Sequence, residues 1–339
     1  MTPHRPRARQ LYRLLRSRLR SYRDTTLWGD LGLLAPAIRR MAESGHGTDA
    51  CLAQGCLPMP VHYYSPVPDI EDLRARRVWD RRSAMAGVDM REASQLALLA
   101  ELGRDFGAEC RWRHDPSHDQ SEFYTDNSSF SYGCAAATHA LIRKFKPRRV
   151  IEVGSGFSSR VIAAALRMNE KDSGERAEYT VVDPFPGTAL ERLGEVGRVL
   201  RQRVELLDVD LFRTLDENDI LFVDSGHTVR AGGDVNFLVL DVLPVLTAGV
   251  VVHFHDIALP YEYAEVYFTN PQFRVFWTEA YLLQAFLCHN VAYEVLLAMN
   301  FLMRDHAAAF RSAWPHYDPS IHRFPSHSFW IRRTPRARS

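Results

Sequence analysis

The amino-acid sequence predicts an α/β fold: a doubly wound, seven-stranded sheet of five parallel strands and a C-terminal antiparallel strand pair, preceded by a helical N-terminal extension. Runs rich in valine, isoleucine and leucine alternate with segments of helical periodicity from residue 149 onward, as in parallel sheets covered on both faces. The first run ends in a Gly-x-Gly turn that opens a helix. The last two apolar runs, separated by a loop and a short helix, depart from this alternation and are predicted to form the closing strand pair.

The five parallel strands are predicted at residues 149–153, 179–183, 203–207, 219–224 and 249–254, and the final pair at 293–299 and 327–333. The intervening helices are predicted at residues 157–169, 187–199, 232–246 and 272–289. Two further helices are expected upstream, one starting at Asp89 and one over residues 133–146, with a loop over 111–132. A nicotinamide-binding domain more often continues with a sixth parallel strand, so the strand pair argues against that class.

The chain-wide composition is that of an ordinary soluble globular protein. Of its 339 residues 46% are hydrophobic and 24% are charged, and the net charge of +1 gives no argument for a nucleic-acid partner. No apolar run reaches the roughly 20 residues that a membrane span needs, and the N-terminus lacks a secretory core. The five cysteines contain no CxxC pair and are expected to be reduced thiols. We therefore expect a cytoplasmic protein without a transmembrane segment or a nucleic-acid partner.

The N-terminal extension is assigned to residues 1–120 and the sheet domain to residues 121–335. Residues 3–23 are rich in arginine and contain no acidic residue. Leucines recur there at helical spacing, which predicts either a solvated basic helix packed on the domain or a helix that contacts a membrane surface or a partner. The sequence does not decide whether the protein forms a homo-oligomer.

The Gly-x-Gly turn after the first strand is a candidate ligand site. Gly154 and Gly156, with Ser155 between them, let the backbone approach a ligand at a helix N-terminus. The third fingerprint position of dinucleotide sites is Ser159 here, and the motif alone is shared by many nucleotide binders. Glu152 precedes the turn by two residues, where an acid would repel a pyrophosphate and attract a ligand with cationic groups.

Two acids after later strands extend this candidate pocket. Asp183 follows the second predicted strand, where a carboxylate can accept both hydroxyls of a ribose. Asp208 follows the third predicted strand and is a candidate contact to an adenine edge. Together with the glycine turn, these acids predict an adenosyl pocket at the carboxyl ends of the strands. The alternative is a turn that only tightens a strand–helix connection, with Asp183 as a helix cap.

The motifs VIEVGSGFSS, VVDP, ILFVDSGH and HFHDI occur in this order from about residue 150 to 257. They resemble those of S-adenosylmethionine-dependent class I methyltransferases, with the closest resemblance to bacterial macrocin-type sugar O-methyltransferases. The resemblance covers residues 121–300, and the upstream segment YYSPVPD resembles a lead-in that recurs in this group. It implies a Rossmann-like methyltransferase sheet and S-adenosylmethionine as cofactor.

A second group of polar residues follows the fourth and fifth strands. Asp224 and Asp256 are candidate ligands of Mg²⁺ or another divalent metal, and His227 is the candidate general base. Asp224 is also a candidate contact to the cofactor. The resembled group holds Mg²⁺ with carboxylates at these strand ends and commonly has an acid where this chain has His255. As a ligand His255 would favour Zn²⁺, Fe²⁺ or Mn²⁺, and a metal-free enzyme with a histidine base remains an alternative.

The structural alternatives are a capping role for Asp224 and a surface position for His227. His253 lies on a predicted buried strand and is expected to be a core histidine rather than a ligand. Residues 123–133, including Tyr124, Asn127 and Ser131, are expected near the methionine end of the cofactor, and residues 258–268 near the acceptor.

The sequence therefore predicts a methyltransferase that transfers to oxygen of a small sugar or polyol-type acceptor. The rival hypotheses are a nicotinamide-dependent oxidoreductase and a non-catalytic binding protein with a methyltransferase fold.

Overall fold

The structure, a computed structural model, describes residues 25–335. The arginine-rich helix expected over residues 3–23 lies outside the described residues. The chain divides into two compact units at Arg76/Arg77; the assignment of residues 1–120 and 121–335 to an extension and a domain stays a prediction. Among residues 25–335, no helix combines the length and the apolar character that crossing a bilayer requires. All five cysteines are unpaired thiols.

The described part of the first unit contains three helices: α1 (Thr25–Ser44), α2 (Thr48–Ala53) and α3 (Ile70–Ala75). The proline-rich segment between α2 and α3 is not helical, because proline lacks the amide proton that a helix interior needs. Asp69 caps α3 by accepting hydrogen bonds from the backbone amides of Glu71 and Asp72. Neither α2 nor α3 has a buried side chain, so local hydrogen bonds rather than a core stabilise these two helices.

The second unit contains a seven-stranded sheet of order β3-β2-β1-β4-β5-β7-β6. Its strands are β1 (Arg149–Val153), β2 (Glu178–Val182), β3 (Val196–Leu200), β4 (Ile220–Val223), β5 (Val251–Phe254), β6 (Tyr293–Ala298) and β7 (Phe329–Arg333). The first five strands are parallel, and β7 runs antiparallel to both β5 and β6. The predicted α/β architecture with a C-terminal antiparallel strand pair is confirmed.

Helices connect and cover the strands. They are α4 (Glu92–Phe106), α5 (Tyr132–Phe145), α6 (Phe157–Ser173), α7 (Asp210–Arg213), α8 (Asp234–Asn236), α9 (Glu265–Thr269), α10 (Glu279–Leu287), α11 (Met299–Asp305) and α12 (Ala307–Ala313). Three 3₁₀ turns lie at Val78–Asp80, Thr188–Arg192 and Val204–Leu206. Helix α5 packs on α6, while α4 packs on β6 and α12. Helix α8 continues as a π-helical turn, Phe237–Val242, and a 3₁₀ turn, Leu243–Val245, so the prediction of a helix over 232–246 is confirmed apart from its first residues.

The core lies on the central strands. Every residue of β4 and β5 is buried, which explains why all their residues except His253 are apolar. His253 on β5 is fully buried, with its ring stacked 3.8 Å from that of Phe222, and its Nε2 lies 3.0 Å from Ser328 Oγ. Burial, with a smaller contribution from His255, holds the pKa of His253 well below its usual value. His253 is therefore a neutral core histidine, as the sequence favoured.

Two predictions around the third strand are wrong. The strand predicted at residues 203–207 is β3 at Val196–Leu200 instead, and the helix predicted at 187–199 is only the 3₁₀ turn Thr188–Arg192. Strand β3 is the sheet edge and pairs only with β2, so it buries little apolar surface and has a weak hydrophobic pattern. The more apolar segment VELL forms a turn in which Val204 is buried and Leu206 is exposed.

The helix predicted over residues 272–289 begins only at Glu279. The preceding Thr278 has φ −139° and ψ 0°, which is not a helical conformation, so the helix starts after it. The backbone amides of Thr278 and Glu279 both donate to the carbonyl oxygen of His227, at 2.9 and 3.1 Å. The first turn of α10 is therefore attached to the loop that follows β4.

We expect Phe222→Ala to lower the free energy of unfolding by about 3–5 kcal/mol, because it removes a fully buried ring from β4. Leu206→Ala should change it by about 0.5 kcal/mol or less, because Leu206 is 62% exposed. Urea denaturation of both variants measures the two values. A large loss for Leu206→Ala would favour a buried strand at residues 203–207 and contradict the assignment of the edge strand to β3.

Candidate active site

The candidate site lies at the carboxyl ends of β1, β4 and β5. The hydrogen-bond ladder continues one residue past each strand: Asp224 N donates to Val153 O at 2.8 Å, and His255 N donates to Val223 O at 2.9 Å. The residues that follow these neighbouring strands therefore meet in one crevice. In doubly wound sheets this edge, where the strand order reverses, is where ligands bind.

The glycine turn is held against the chain that follows β4. Gly154 has φ +84°, and a Cβ atom placed on it would lie 1.8 Å from the backbone oxygen of Asp224. Only glycine combines this conformation with this close approach. At Gly156 a Cβ atom would meet nothing within 4 Å, so open space lies in front of the N-terminus of α6. A tight turn with free space at a helix N-terminus fits a nucleoside-type ligand.

Glu152 lies beneath this turn and is fully buried. Its carboxylate accepts hydrogen bonds from Ser158 Oγ at 2.7 Å, Ser159 Oγ at 2.8 Å and Tyr179 Oη at 2.5 Å. Burial raises the pKa of Glu152 to about 7, although the three hydroxyl donors oppose the rise. The bonds that the structure gives this carboxylate therefore fix the first turn of α6.

Asp183 supports the same turn from the end of β2. Its Oδ2 accepts hydrogen bonds from the Ser155 amide at 3.0 Å and the Ser155 hydroxyl at 2.6 Å, and its Oδ1 accepts one from the Phe185 amide at 2.7 Å. An ionised carboxylate has about four lone-pair sites, and three are used here, so capacity for one ligand hydroxyl is left, on Oδ1.

Asp208 is exposed and lies after the turn Val204–Leu206. Its Oδ1 accepts a hydrogen bond from the Asp210 amide at 3.0 Å. Because the third strand ends at Leu200, Asp208 does not directly follow a strand end, and the residues that do are Arg201 and Gln202. Contact between Asp208 and an adenine edge stays a prediction.

Asp224, His227 and Asp256 form a compact cluster in the crevice. His227 Nε2 lies 3.3 Å from Asp224 Oδ1 and 3.6 Å from Asp256 Oδ2, and one ligand atom from each of the three residues lies within 4.8 Å of the others. Both His227 and Asp256 have φ +56°, a conformation that non-glycine residues rarely adopt. Two carboxylates and one imidazole are a donor set that fits a divalent cation, and the imidazole favours Mn²⁺, Fe²⁺ or Zn²⁺ over Mg²⁺.

His255, the third predicted metal ligand, is oriented differently. Its Nε2 donates a hydrogen bond to the carbonyl oxygen of Ser129 at 3.1 Å, and its ring packs 5.0 Å from that of Phe130. That nitrogen is therefore not free to ligate a metal in this conformation, although it lies 3.7 Å from Asp256 Oδ1. Within residues 25–335, the structure brings His227 rather than His255 into the cluster with the two aspartates.

Glu279 is a site residue that the sequence analysis missed. Its Oε2 lies 2.8 Å from His227 Nδ1, and the side chain is fully buried. Burial alone would lower the pKa of His227, but Asp224, Glu279 and Asp256 outweigh it and hold this pKa well above the usual 6.5. The available signal was an acid in an otherwise apolar helix, TEAYLLQAFL. The helix predicted to begin at residue 272 placed that acid in a helix interior rather than at its N-terminus.

A small cavity of about 50 Å³ adjoins Asp256. It is lined by Ser128, Ser129, Ser131, Cys134, His255, Asp256, Tyr267, Phe324, Pro325 and His327. Ser131 comes from the predicted cofactor loop and Tyr267 from the predicted acceptor segment. A larger cavity of about 540 Å³ is lined by residues 244–248, which precede β5, together with Arg213, Arg333 and Thr334, and contains none of the predicted site residues.

The sheet order, the antiparallel strand pair and the glycine turn define a Rossmann-like methyltransferase fold. Residues 151–257 match a family model described as a methyltransferase domain. The chain is also 30% identical to an uncharacterized protein of Archaeoglobus fulgidus over 169 residues, which are 48% of this chain and 75% of that protein. The chain therefore contains a methyltransferase domain and belongs to the same family as this archaeal protein.

We expect Gly154→Ala to destabilise the protein and to abolish binding of S-adenosylhomocysteine, because a Cβ atom cannot fit beside the Asp224 carbonyl. Gly156→Ala is the matched control for stability, since its Cβ position is open. Thermal unfolding and ligand titration of both variants make the comparison. Equal melting temperatures for the two variants would argue against the tight turn at Gly154.

Glu152 should make stability pH-dependent. Between about pH 4.5 and 7 the unfolded chain has lost the proton of Glu152 while the folded protein keeps it, so folding stability falls as pH rises through this window. The loss is complete above the folded pKa and is on the order of 3 kcal/mol, at about 1.4 kcal/mol per pH unit. Denaturant titrations at several pH values should show this slope in the wild type and a smaller slope in Glu152→Gln. The same slope in both proteins would assign the pH dependence to other groups.

Proposed function

We propose that the protein is an S-adenosylmethionine-dependent methyltransferase that methylates oxygen on a small hydroxylated acceptor of the sugar or polyol type. The observation that carries this proposal is the close approach of Gly154 to the backbone oxygen of Asp224. It puts the glycine turn beside the cluster of Asp224, His227 and Asp256. A cofactor at the turn and an acceptor at the cluster would therefore share one crevice, as group transfer requires.

The cofactor side of the proposal uses the turn and the end of β2. S-adenosylmethionine, when bound, supplies an electrophilic methyl group on a sulfonium. Gly154, Ser155 and Gly156 provide backbone and space for the nucleoside, and Asp183 has acceptor capacity for one ribose hydroxyl. Asp208 and Asp224 are further proposed contacts. Glu152 is proposed to affect cofactor binding indirectly, by holding the glycine turn in place. Its carboxylate accepts hydrogen bonds from the hydroxyls of Ser158, Ser159 and Tyr179.

On the acceptor side the chain must remove a proton from a hydroxyl whose pKa lies far above neutrality. We assign this step to the unprotonated form of His227, whose Nε2 faces the crevice between Asp224 and Asp256. Because the surrounding acids raise the pKa of His227, this form becomes more populated as pH rises. The two aspartates are proposed to hold a divalent cation, which would lower the pKa of a bound hydroxyl. Nε2 has one lone pair, so it can ligate a cation or accept a proton but not both at once. The effect on turnover of removing divalent cations with a chelator therefore distinguishes these two roles.

A neutral, hydroxylated acceptor fits the charges of the site. Burial lowers the pKa of His327 to about 4, so this wall of the cavity is uncharged at neutral pH. Lysine and arginine are absent from the described residues that line the small cavity and from the cluster. An anionic acceptor would therefore meet Asp224, Asp256 and Glu279 without a lysine or arginine to offset their charge. The resemblance to macrocin-type sugar O-methyltransferases supports the same acceptor class.

Calorimetric titration with S-adenosylhomocysteine, with and without EDTA and beside NADH, tests this function. We expect binding of S-adenosylhomocysteine and none of NADH. Asp183→Ala should weaken binding by about 100-fold, because it removes a charged acceptor that also holds Ser155. His227→Ala should bind S-adenosylhomocysteine normally but lose transfer of a radiolabelled methyl group to a panel of sugars and polyols.

The controls distinguish the alternatives. NADH binding without S-adenosylhomocysteine binding would support the oxidoreductase hypothesis instead. Binding of S-adenosylhomocysteine with persistent turnover in His227→Ala would place the base elsewhere. Turnover that EDTA abolishes and added Mn²⁺ restores would support the cation at Asp224 and Asp256, while EDTA-resistant turnover would support a metal-free reaction at His227 Nε2.

A further inference from the structure

The loop after β4 is clamped to the first turn of α10. The carbonyl oxygen of His227 accepts hydrogen bonds from the Thr278 and Glu279 amides, and the Val229 amide donates to Thr278 Oγ1 at 2.7 Å. These bonds hold His227 at φ +56°. All three involve the backbone or the threonine hydroxyl, so the clamp does not depend on the Glu279 side chain.

The Glu279 side chain makes one hydrogen bond in the described structure. Its Oε2 meets His227 Nδ1 at 2.8 Å, and its Oε1 is buried without a hydrogen-bond partner among residues 25–335. A buried carboxylate is costly to the fold unless it is paired. Burial also raises the pKa of Glu279, and the contact with His227 opposes that rise. The structure thus gives this acid no role in packing or capping that an apolar residue could not fill.

The ring of His227 is fixed on its other sides. Trp277 packs against it, with the ring centroids 4.7 Å apart. With Nδ1 facing Glu279, the opposite nitrogen, Nε2, faces Asp224 and Asp256. The two nitrogens therefore have separate environments: Nδ1 faces a buried acid, and Nε2 faces the crevice.

We propose that Glu279 is a positioning residue that keeps a proton on Nδ1 of His227 and thereby makes Nε2 the nitrogen that works in the crevice. A neutral imidazole has one N–H and one lone pair, and an acceptor at Nδ1 requires the N–H there. The lone pair is then on Nε2, whether this atom ligates a cation or accepts a proton. The inference rests on the proposed function but concerns one proton that can be observed without turnover.

Nitrogen-15 NMR of protein labelled at histidine tests this inference directly. We expect a downfield proton bonded to Nδ1 of His227 in the wild type across the accessible pH range, because Nδ1 keeps its proton whatever the state of Nε2. His227→Gln assigns the resonance by removing it. Glu279→Gln should shift it upfield or abolish it, since the amide is a weaker acceptor and can present its NH₂ group instead. Once a methyl-acceptor substrate has been identified, kcat of Glu279→Gln should be about 10- to 100-fold lower than that of the wild type, with unchanged affinity for S-adenosylhomocysteine.

Glu109→Gln is the matched control. Glu109 Oε2 lies 2.8 Å from His139 Nε2, so this variant breaks an equally short glutamate–histidine contact that involves no site residue. It should leave the His227 resonance and turnover unchanged. A wild-type His227 with no proton on Nδ1, or a resonance that Glu279→Gln does not move, would overturn the inference even if the variant folds poorly. Failure of the wild type to bind S-adenosylhomocysteine would instead count against the proposed function alone.

Discussion

The packing of Gly154 against the Asp224 backbone is the contact on which the rest of the site depends. It joins the turn after β1 to the residue after β4, so that the neighbouring strands determine the distance between the two halves of the crevice. The ladder bond from Asp224 N to Val153 O fixes the same relation from the sheet side. Rigid strands are thus placed directly beneath the groups whose separation matters for group transfer.

The interior of the sheet could be predicted from the sequence because strands buried on both faces have unbroken apolar sequences. The edge strand β3 could not, because an edge strand buries too little surface to show such a pattern. The same reasoning applies to the candidate site. Asp224, His227 and Asp256 follow strands and could be predicted to meet. The contact of Glu279 depends on where α10 begins, which tertiary hydrogen bonds to the His227 carbonyl decide.

The acidic side chains at the crevice have two different roles: Glu152 supports the structure of the glycine turn, and Asp224 and Asp256 supply negative charge to the crevice. Glu152 is enclosed by hydroxyl donors, and its pKa near neutrality shows how far burial disfavours its charge. Asp224 and Asp256 remain partly exposed, with 29% and 20% of their side chains accessible, and together with Glu279 they surround one histidine. The crevice therefore concentrates negative charge where a sulfonium or a divalent cation is proposed to bind. The buried Glu152 fixes the glycine turn, and the accessible Asp224 and Asp256 make the electrostatic potential of the crevice negative.

The position of β7 between β5 and β6 has a consequence for biosynthesis. Within residues 25–335, β7 is the last strand in sequence, yet it is the one strand that pairs with β6, and it covers the outer edge of β5. During synthesis on the ribosome, β5 and β6 therefore have unpaired edges until residues 329–333 emerge. His327 and Phe324, which line the small cavity, emerge just before them. The sheet and the wall of the crevice are thus completed in one event, after the other six strands have been translated.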